Sequence, residues 1–176
     1  LGVMKQSFQI RYQVRPLLLA SWSCSELGRF EEAMELAQEA MRKARDFSDR
    51  SLISWAAYQL CVAHIQRRDL AQAIRYGELS VAEAQTAGEK AFAQGFLAWA
   101  WCHTGETAKG TNTLAGLLAL YQAARYVHAE IYAWHFLAEG YWLAGQFDRA
   151  KETAEGLREM SERCDARGFL GHAHRL

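Results

Sequence analysis

Apolar residues recur every three to four positions along most of the chain, and this spacing predicts amphipathic α-helices. From Ser51 to Gln66 the apolar stripe consists of Leu52, Trp55, Ala56, Leu60 and Ala63. From Glu31 to Arg45 it consists of Ala33, Leu36, Ala37, Ala40 and Ala44, with Glu31, Glu35, Gln38 and Lys43 outside it. The pattern predicts consecutive helices that each bury one face.

A short string of residues recurs four times between the helical segments. It reads GRFEEA at 28–33, RDLAQA at 68–73, GETAKG at 105–110 and GQFDRA at 145–150. The last positions of the strings are 40, 37 and 40 residues apart, a spacing typical of repeated helix pairs. Because a lone helical hairpin cannot bury both of its faces, such units are expected to stack on their neighbours.

We therefore predict an all-α fold and a single array over residues 1–176. Its hairpin units are expected at about 15–47, 50–87, 90–126 and 128–166. Pro16 favours a helix start, so residues 1–14 are predicted to form a preceding helix or a cap. Residues 167–176 are predicted to open a fifth hairpin, and the way the chain starts and stops leads us to expect a piece of a larger protein.

Small residues recur near the repeated turns. They are Ser21, Cys61, Ala98 and Ala138 in the first helices of the units, and Ala33, Ala73, Gly110 and Ala150 in the second helices. Larger side chains there would hold the helix axes apart. The third turn carries Thr107, Gly110 and Thr111, which are poor helix formers, so we expect a distorted or flexible joint at that point.

The fourth unit has the most specific pattern, reading WxxLAxxYxxxGxFxxA from Trp134 to Ala150. It closely resembles the tetratricopeptide repeat (TPR) family, and weaker forms of the pattern extend the similarity from about Arg15 to Cys164. The resemblance implies a right-handed superhelical array of antiparallel hairpins, a TPR-like α-solenoid, that binds other proteins. The units exceed the usual 34 residues and lack the closing proline. In this they resemble the repeat regions of bacterial maltose-regulon-type transcriptional activators and ATPase/cyclase signalling proteins.

Charge and hydropathy then exclude several classes of partner. Lys and Arg number 20, as do Asp and Glu, and no long basic run is present, so a direct nucleic-acid partner is not expected. The longest apolar stretches, such as 96–101, are too short to cross a membrane. The cysteines, Cys24, Cys61, Cys102 and Cys164, lack metal-ligand or redox spacing and are expected to be buried thiols of a cytoplasmic protein.

The TPR resemblance implies that the first helices line a concave groove in which a partner binds. The candidate partner-binding residues are Trp22, Trp55, Tyr58, Val62, Phe92, Trp99, His103, Tyr132, His135, Glu139 and Trp142. This aromatic set suits an apolar peptide, an amphipathic helix or another domain of the parent protein. It lacks the cationic residues with which chaperone-binding members of the family hold a peptide carboxylate.

Three alternatives stay open at this point. The aromatic residues are also consistent with a buried core or with packing against a neighbouring domain, since tryptophans at helical spacing are more often core than binding site. A second function is a small-molecule sensor, in which a sugar-like ring stacks on the aromatics while His135, Glu139 and His103 supply hydrogen bonds. A third is self-association through exposed end faces of the array.

The sequence carries no pattern typical of catalysis. The cysteines lie on separate predicted helices, and Gly105 and Gly110 are not followed by the Lys-Ser/Thr of a phosphate-binding loop. His172 and His174 are two residues apart and point to different faces of a helix, so no metal site is expected there. We predict a non-enzymatic protein with no cofactor.

Overall fold

The computed structural model describes the backbone of residues 2–175 and the side chains of residues 12–175. Over this range the chain forms nine helices and no strand. They are α1 (Gly2–Glu26), α2 (Phe30–Asp46), α3 (Arg50–Gln66), α4 (Leu70–Glu83), α5 (Ala87–His103), α6 (Thr107–Ala124), α7 (Val127–Leu143), α8 (Phe147–Arg163) and α9 (Arg167–Arg175). The predicted all-α fold of helical hairpins is confirmed.

The helices form two compact units, one up to Leu97 and one from Ala98 onward. In the first unit α1 packs on α2, α2 on α3 and α3 on α4. Its core consists of Val14, Leu18, Ala37, Ala40, Met41, Ala44, Leu52, Ile53, Ala56, Ala57 and Leu60. Helix α1 continues through Pro16, so in the structure residues 2–14 belong to the same helix as the residues that follow.

In the second unit α6 packs on α7, α7 on α8 and α8 on α9. Ile131, Leu157 and Met160 form a buried cluster between these helices. The last six residues of α5, 98–103, also belong to this unit. They bring Trp99 and His103 next to α7.

The repeated strings lie at the turns between the two helices of each hairpin. Gly28, Arg68, Gly105 and Gly145 hold equivalent positions in these turns, with φ of 75°, 63°, 94° and 71°. Left-handed backbone is accessible to glycine at little cost and disfavoured for residues with a Cβ. The turn therefore favours glycine, which begins three of the four strings, although Arg68 takes the same conformation in the second string.

The third turn differs from the other three, as expected. In those turns the residue after the left-handed position donates to the carbonyl five residues back, Arg29 to Cys24, Asp69 to His64 and Gln146 to Tyr141, and among the described residues Glu106 makes no such bond.

The helix that follows the third turn is nevertheless regular. Helix α6 runs unbroken from Thr107, and the Thr111 hydroxyl donates to the Thr107 carbonyl at 2.8 Å. A Cβ at Gly110 would lie 2.6 Å from the Ala98 carbonyl oxygen and closer still to the Cys102 Sγ. Glycine is present because α5 and α6 approach closely at this point.

The joint between α4 and α5 differs from the other joints between hairpins. Ser48, Arg125 and Asp165 take left-handed backbone at those joints, whereas the residue that ends α4 is extended, with ψ of 131°. Here Thr86 Oγ1 accepts from the Glu89 amide at 3.1 Å, and a Glu89 carboxylate oxygen accepts from the Thr86 amide at 3.3 Å. This reciprocal capping box starts α5 without a left-handed residue.

Replacing Gly145 with alanine tests the turn requirement. A Cβ at this position meets no atom within 4 Å, so the effect comes from the backbone alone. We expect Gly145→Ala to lower the free energy of unfolding by about 1 kcal/mol in urea titrations followed by circular dichroism. Gly116→Ala is the matched control, because Gly116 is equally open but helical, and it should raise that energy by about 0.5–1 kcal/mol. Equal effects of the two substitutions would contradict this account.

Candidate functional site

The candidate residues of the first unit gather in an aromatic cluster formed by Trp22, Tyr58, Phe92 and Phe96. The Tyr58 and Phe96 rings stack with centroids 4.8 Å apart and planes within 7°. Trp22 and Phe92 each present an edge to Tyr58, at 6.3 and 5.6 Å. Phe96 is 1% exposed and was missed by sequence reasoning, although it lies one helical turn after Phe92.

Two other candidates of the first unit belong mainly to its core. Trp55 is half-buried against the core, and the Arg15 guanidinium lies 5.7 Å from its ring centroid. Val62 is buried. A partner could therefore contact the exposed part of Trp55 but could reach Val62 only after a rearrangement.

The second unit brings polar and aromatic side chains together in what we call the polar–aromatic cluster. Its members are Trp99 and His103 on α5, His135 and Glu139 on α7, and His172 and Arg175 on α9. The ring of Trp99 also stacks on Phe136, with centroids 4.4 Å apart. These contacts place a carboxylate and three imidazoles beside apolar rings.

Glu139 is the electrostatic centre of the polar–aromatic cluster. Trp99 donates its Nε1 hydrogen to Glu139 Oε2 at 2.7 Å, and His103 Nε2 lies 3.6 Å from the same oxygen. A guanidinium nitrogen of Arg175 lies 3.7 Å from the other carboxylate oxygen. Burial acts to raise the pKa of Glu139, but its imidazole neighbours and the indole hydrogen bond outweigh burial and lower the pKa to about 2. The carboxylate is therefore ionised at neutral pH.

His135 is the most buried polar member of the cluster, at 6% exposure. Its ring centroid lies 4.1 Å from that of His172 and 6.0 Å from that of Trp99. The Nε2 atom is buried and has no hydrogen-bond partner among the described residues. Burial, reinforced by the nearby His172, lowers the pKa of His135 to about 3, so its imidazole is neutral.

Comparison with known proteins shows the fold but names no family. No family model matches the chain, and no curated protein sequence matches it significantly. A solved structure from Podosopora anserina, described as a kinesin light chain with nearly identical TPR-like repeats, is 16% identical over 93% of this chain and 94% of that chain, with a TM-score of 0.63. The fold is a TPR-like helical repeat. A structure of a variant of the same protein is 15% identical over 88% of this chain and 97% of that chain, with a TM-score of 0.39.

In this TPR-like frame α1, α3, α5, α7 and α9 are the first helices of successive hairpins. The structure brings together Trp22, Tyr58 and Phe92 in one unit, and Trp99, His103, His135 and Glu139 in the other. Tyr132 lies beside the second set and presents its ring to Phe169 of α9, with centroids 4.9 Å apart. Trp142 is 49% exposed, the largest value among the predicted binding residues.

Sequence reasoning missed the contribution of α9 to the polar–aromatic cluster. His172 was weighed only as a metal ligand, yet its ring packs on His135, while His174 is exposed. This contribution could have been found from the sequence. Residues 167–176 were predicted to open a fifth TPR-like hairpin, so α9 is a first helix and was expected to lie beside the first helix α7. Among the described residues, no group of three or more His, Cys, Asp or Glu is arranged to hold a metal ion.

The cysteines follow the expected pattern with one exception. Cys24, Cys61 and Cys102 are buried, and burial raises the pKa of the Cys61 and Cys102 thiols to about 12. The prediction that all four are buried was wrong for Cys164, which is exposed. It lies just after the end of α8, where the chain turns at the surface.

An open groove of about 570 Å³ beside α8 was also missed. It is lined by Trp134, Asp148, Lys151, Glu152, Glu155, Gly156 and Glu159. The Trp134 ring fills the space next to Gly156, where a Cβ would lie 2.7 Å from the indole. The carboxylates follow one another at three- and four-residue intervals, so helical periodicity was enough to predict an acidic face on α8.

The role of Glu139 can be tested by substituting it with glutamine. Because the pKa of Glu139 is lowered in the fold, its ionised form stabilises the protein above about pH 4.5, and this contribution is lost as the pH falls toward 2. We expect Glu139→Gln to lower the free energy of unfolding at pH 7 by about 1–3 kcal/mol. The deficit should shrink as the pH is lowered from 4.5 in urea titrations.

Glu155→Gln is the control for this prediction, because Glu155 forms an exposed ion pair with Arg158. Exposed pairs contribute little to stability, so this variant should unfold at nearly the same urea concentration as the wild type. If Glu139→Gln is as stable as Glu155→Gln at pH 7, Glu139 does not organise the cluster.

Proposed function

We propose that the chain is a non-catalytic protein-interaction scaffold that couples parts of a larger intracellular regulatory protein. The TPR-like fold supports a scaffold role. The observation that carries the proposal is that first helices hold large aromatic side chains which are not sealed in the core. Trp142 is 49% exposed, and Trp55 is half-buried below the exposed Arg15 side chain. Exposed tryptophans of this kind are common anchors of protein interfaces.

Burial separates anchoring from supporting aromatic residues. Trp99 is 7% exposed and already donates its indole hydrogen to Glu139, so it supports the fold more than it contacts a partner. Trp22, Tyr58, Phe92 and Tyr132 are half-buried, so each can offer only part of its ring to a partner. We therefore propose Trp55 as the principal anchor of the first unit and Trp142 as the principal anchor of the second unit.

The chemistry of these positions favours an apolar partner segment. The chain has no net charge, and its anchors are indole rings, so an amphipathic helix or extended peptide with apolar side chains fits better than a charged tail. We propose that this partner is another protein or another domain of the same parent protein. The long repeats support a parent of the maltose-regulon activator or ATPase/cyclase class, working in the cytoplasm.

One finding bears on the membrane. Within residues 12–175, none of the helices combines the length and the apolar character that crossing a bilayer requires.

Substituting the anchors tests the scaffold proposal. We expect Trp55→Ala and Trp142→Ala each to weaken capture of the bound partner by about 30-fold or more, since truncating an interface anchor costs about 2 kcal/mol. The measurement is a pull-down with immobilised chain, followed by titration of the identified partner. Circular dichroism would establish that each variant is folded.

Leu120→Ala provides the matched control. Leu120 is 52% exposed but lies on α6, the second helix of its hairpin. Its substitution should leave capture unchanged. An interface anchored on the first helices would be contradicted if both tryptophan variants still captured the partner. It would also be contradicted if the Leu120 variant lost the partner to the same extent as they do.

A second function, sensing of a sugar-like molecule, is favoured by the polar–aromatic cluster. Trp99, His135 and Glu139 lie together, and the buried His135 Nε2 lacks a hydrogen-bond partner among the described residues. A ligand hydroxyl would satisfy that nitrogen. Aromatic rings beside a few hydrogen-bonding groups are typical of small-molecule sites.

Tryptophan fluorescence tests the sensing alternative. Binding beside Trp99 should change the emission in a saturable way when a panel of mono- and disaccharides is titrated, because the indole environment changes. The Trp99→Phe variant should lose this change while Trp142→Phe, altered at an exposed site, keeps it. Indifference to the whole panel would count against sensing.

A further inference from the structure

Helix α9 packs on α8 and on α7, with Phe169 and Ala173 against the buried Leu157 and Met160 of α8 and Ile131 of α7. Its residues 167–175 include none that is fully buried. Phe169 packs edge-on against Tyr132, His172 packs on His135, and Arg175 pairs with Glu139. The last two of these contacts are polar and join α9 to α7, so loss of either would weaken the docking of α9 on α7.

The contact between His135 and His172 brings two imidazoles to a centroid distance of 4.1 Å, with ring planes 34° apart. This arrangement suits two neutral rings. A proton on either imidazole would place a charge next to the other ring, and protons on both would bring two positive charges into contact. The His135 Nε2 has no hydrogen-bond partner among the described residues, so a proton there would gain no acceptor.

We propose that the His135–His172 contact makes the docking of α9 on α7 sensitive to protons, so that α9 stays docked at neutral pH and is released on acidification. Neither Trp55 nor Trp142 takes part in this contact. The proposal therefore does not depend on which partner the scaffold binds.

Some of the charged groups around His135 and His172 favour a proton on these imidazoles, and others disfavour one. On α7, Glu139 attracts a proton to both imidazoles, but Trp99 and Arg175 already engage its carboxylate. Arg175 on α9 disfavours a proton on both imidazoles, and His103 on α5 disfavours one on His135. On α8, Glu155 interacts with His174 on the exposed side of α9.

Burial, the largest cause, lowers the pKa of His135 to about 3 and also lowers the pKa of His172. On release of α9, His172 would lose this burial and titrate near the ordinary value of about 6.5, and the pKa of His135 would rise toward that value. Because the docked state holds protons less readily, docking is strongest above about pH 6.5 and weakens as the pH falls below it. At pH 5.5 one such histidine weakens docking about tenfold, and two weaken it further.

Amide hydrogen exchange of the full 176-residue chain tests the proposal. The protection factor, which compares each exchange rate with the intrinsic rate at the same pH, should fall at least about tenfold in α9 between pH 7.5 and 5.5. Protection in α8 should change less than about twofold, because α8 also packs on α7 and keeps that contact when α9 is released. Glu139 stays ionised across this range, so its carboxylate does not contribute to the change.

Phenylalanine variants identify the groups responsible. The His135→Phe/His172→Phe double variant keeps two rings in place but cannot take up protons there, so its α9 protection should become nearly independent of pH. His174→Phe, on the same helix but exposed, should respond like the wild type. NMR titration of the imidazoles in the wild type gives a second measurement that needs no substitution.

Several results would overturn the proposal. They are an α9 protection factor that is the same at pH 7.5 and 5.5, an α9 without protection at either pH, and a double variant that responds like the wild type. Titration of both His135 and His172 at or above pH 6.5 in the folded chain would overturn it as well.

Discussion

Between α3 and α4, Ser54 donates to the Ser80 carbonyl at 2.8 Å and Ser80 donates to the Ser54 carbonyl at 3.0 Å. Two helix backbones come this close only where the side chains between them are small. Ser21 bonds the Ala33 carbonyl between α1 and α2 in the same way. Each hairpin has little core of its own, so the array depends on this close approach within and between pairs.

Much of this organisation follows from periodicity. The repeated strings locate the turns because a left-handed residue must stand in each of them, and glycine supplies it at Gly28, Gly105 and Gly145. Neighbouring first helices are also predictable as partners. Trp99 and Glu139 are 40 positions apart and hydrogen-bonded, and Ser25 and Gln66 are 41 apart and hydrogen-bonded. Adding one repeat length to a first-helix position therefore finds its lateral neighbour.

Exposure of the individual aromatic residues could not be predicted in this way. Trp99 and Trp142 both lie on first helices, yet one is 7% and the other 49% exposed. The difference depends on which side chains pack around each indole, and a single sequence does not specify that. The same limit applies to the start of α6. Gly110 and Thr111 are poor helix formers in isolation, but close packing against α5 outweighs propensity there.

The close approach around Cys102 also has a chemical consequence. A Cβ on Gly140 would lie 2.9 Å from the Cys102 sulfur, and one on Gly110 would lie closer still, so the thiol fills the space left by two glycines. Neither an alkyl group nor a second sulfur fits on this atom while α5, α6 and α7 remain packed. Modification of Cys102 therefore requires these helices to separate, whereas the exposed Cys164 can react in the folded state. The reactivity of Cys102 therefore reports the separation of α5, α6 and α7, and the reactivity of Cys164 in the same chain serves as the reference.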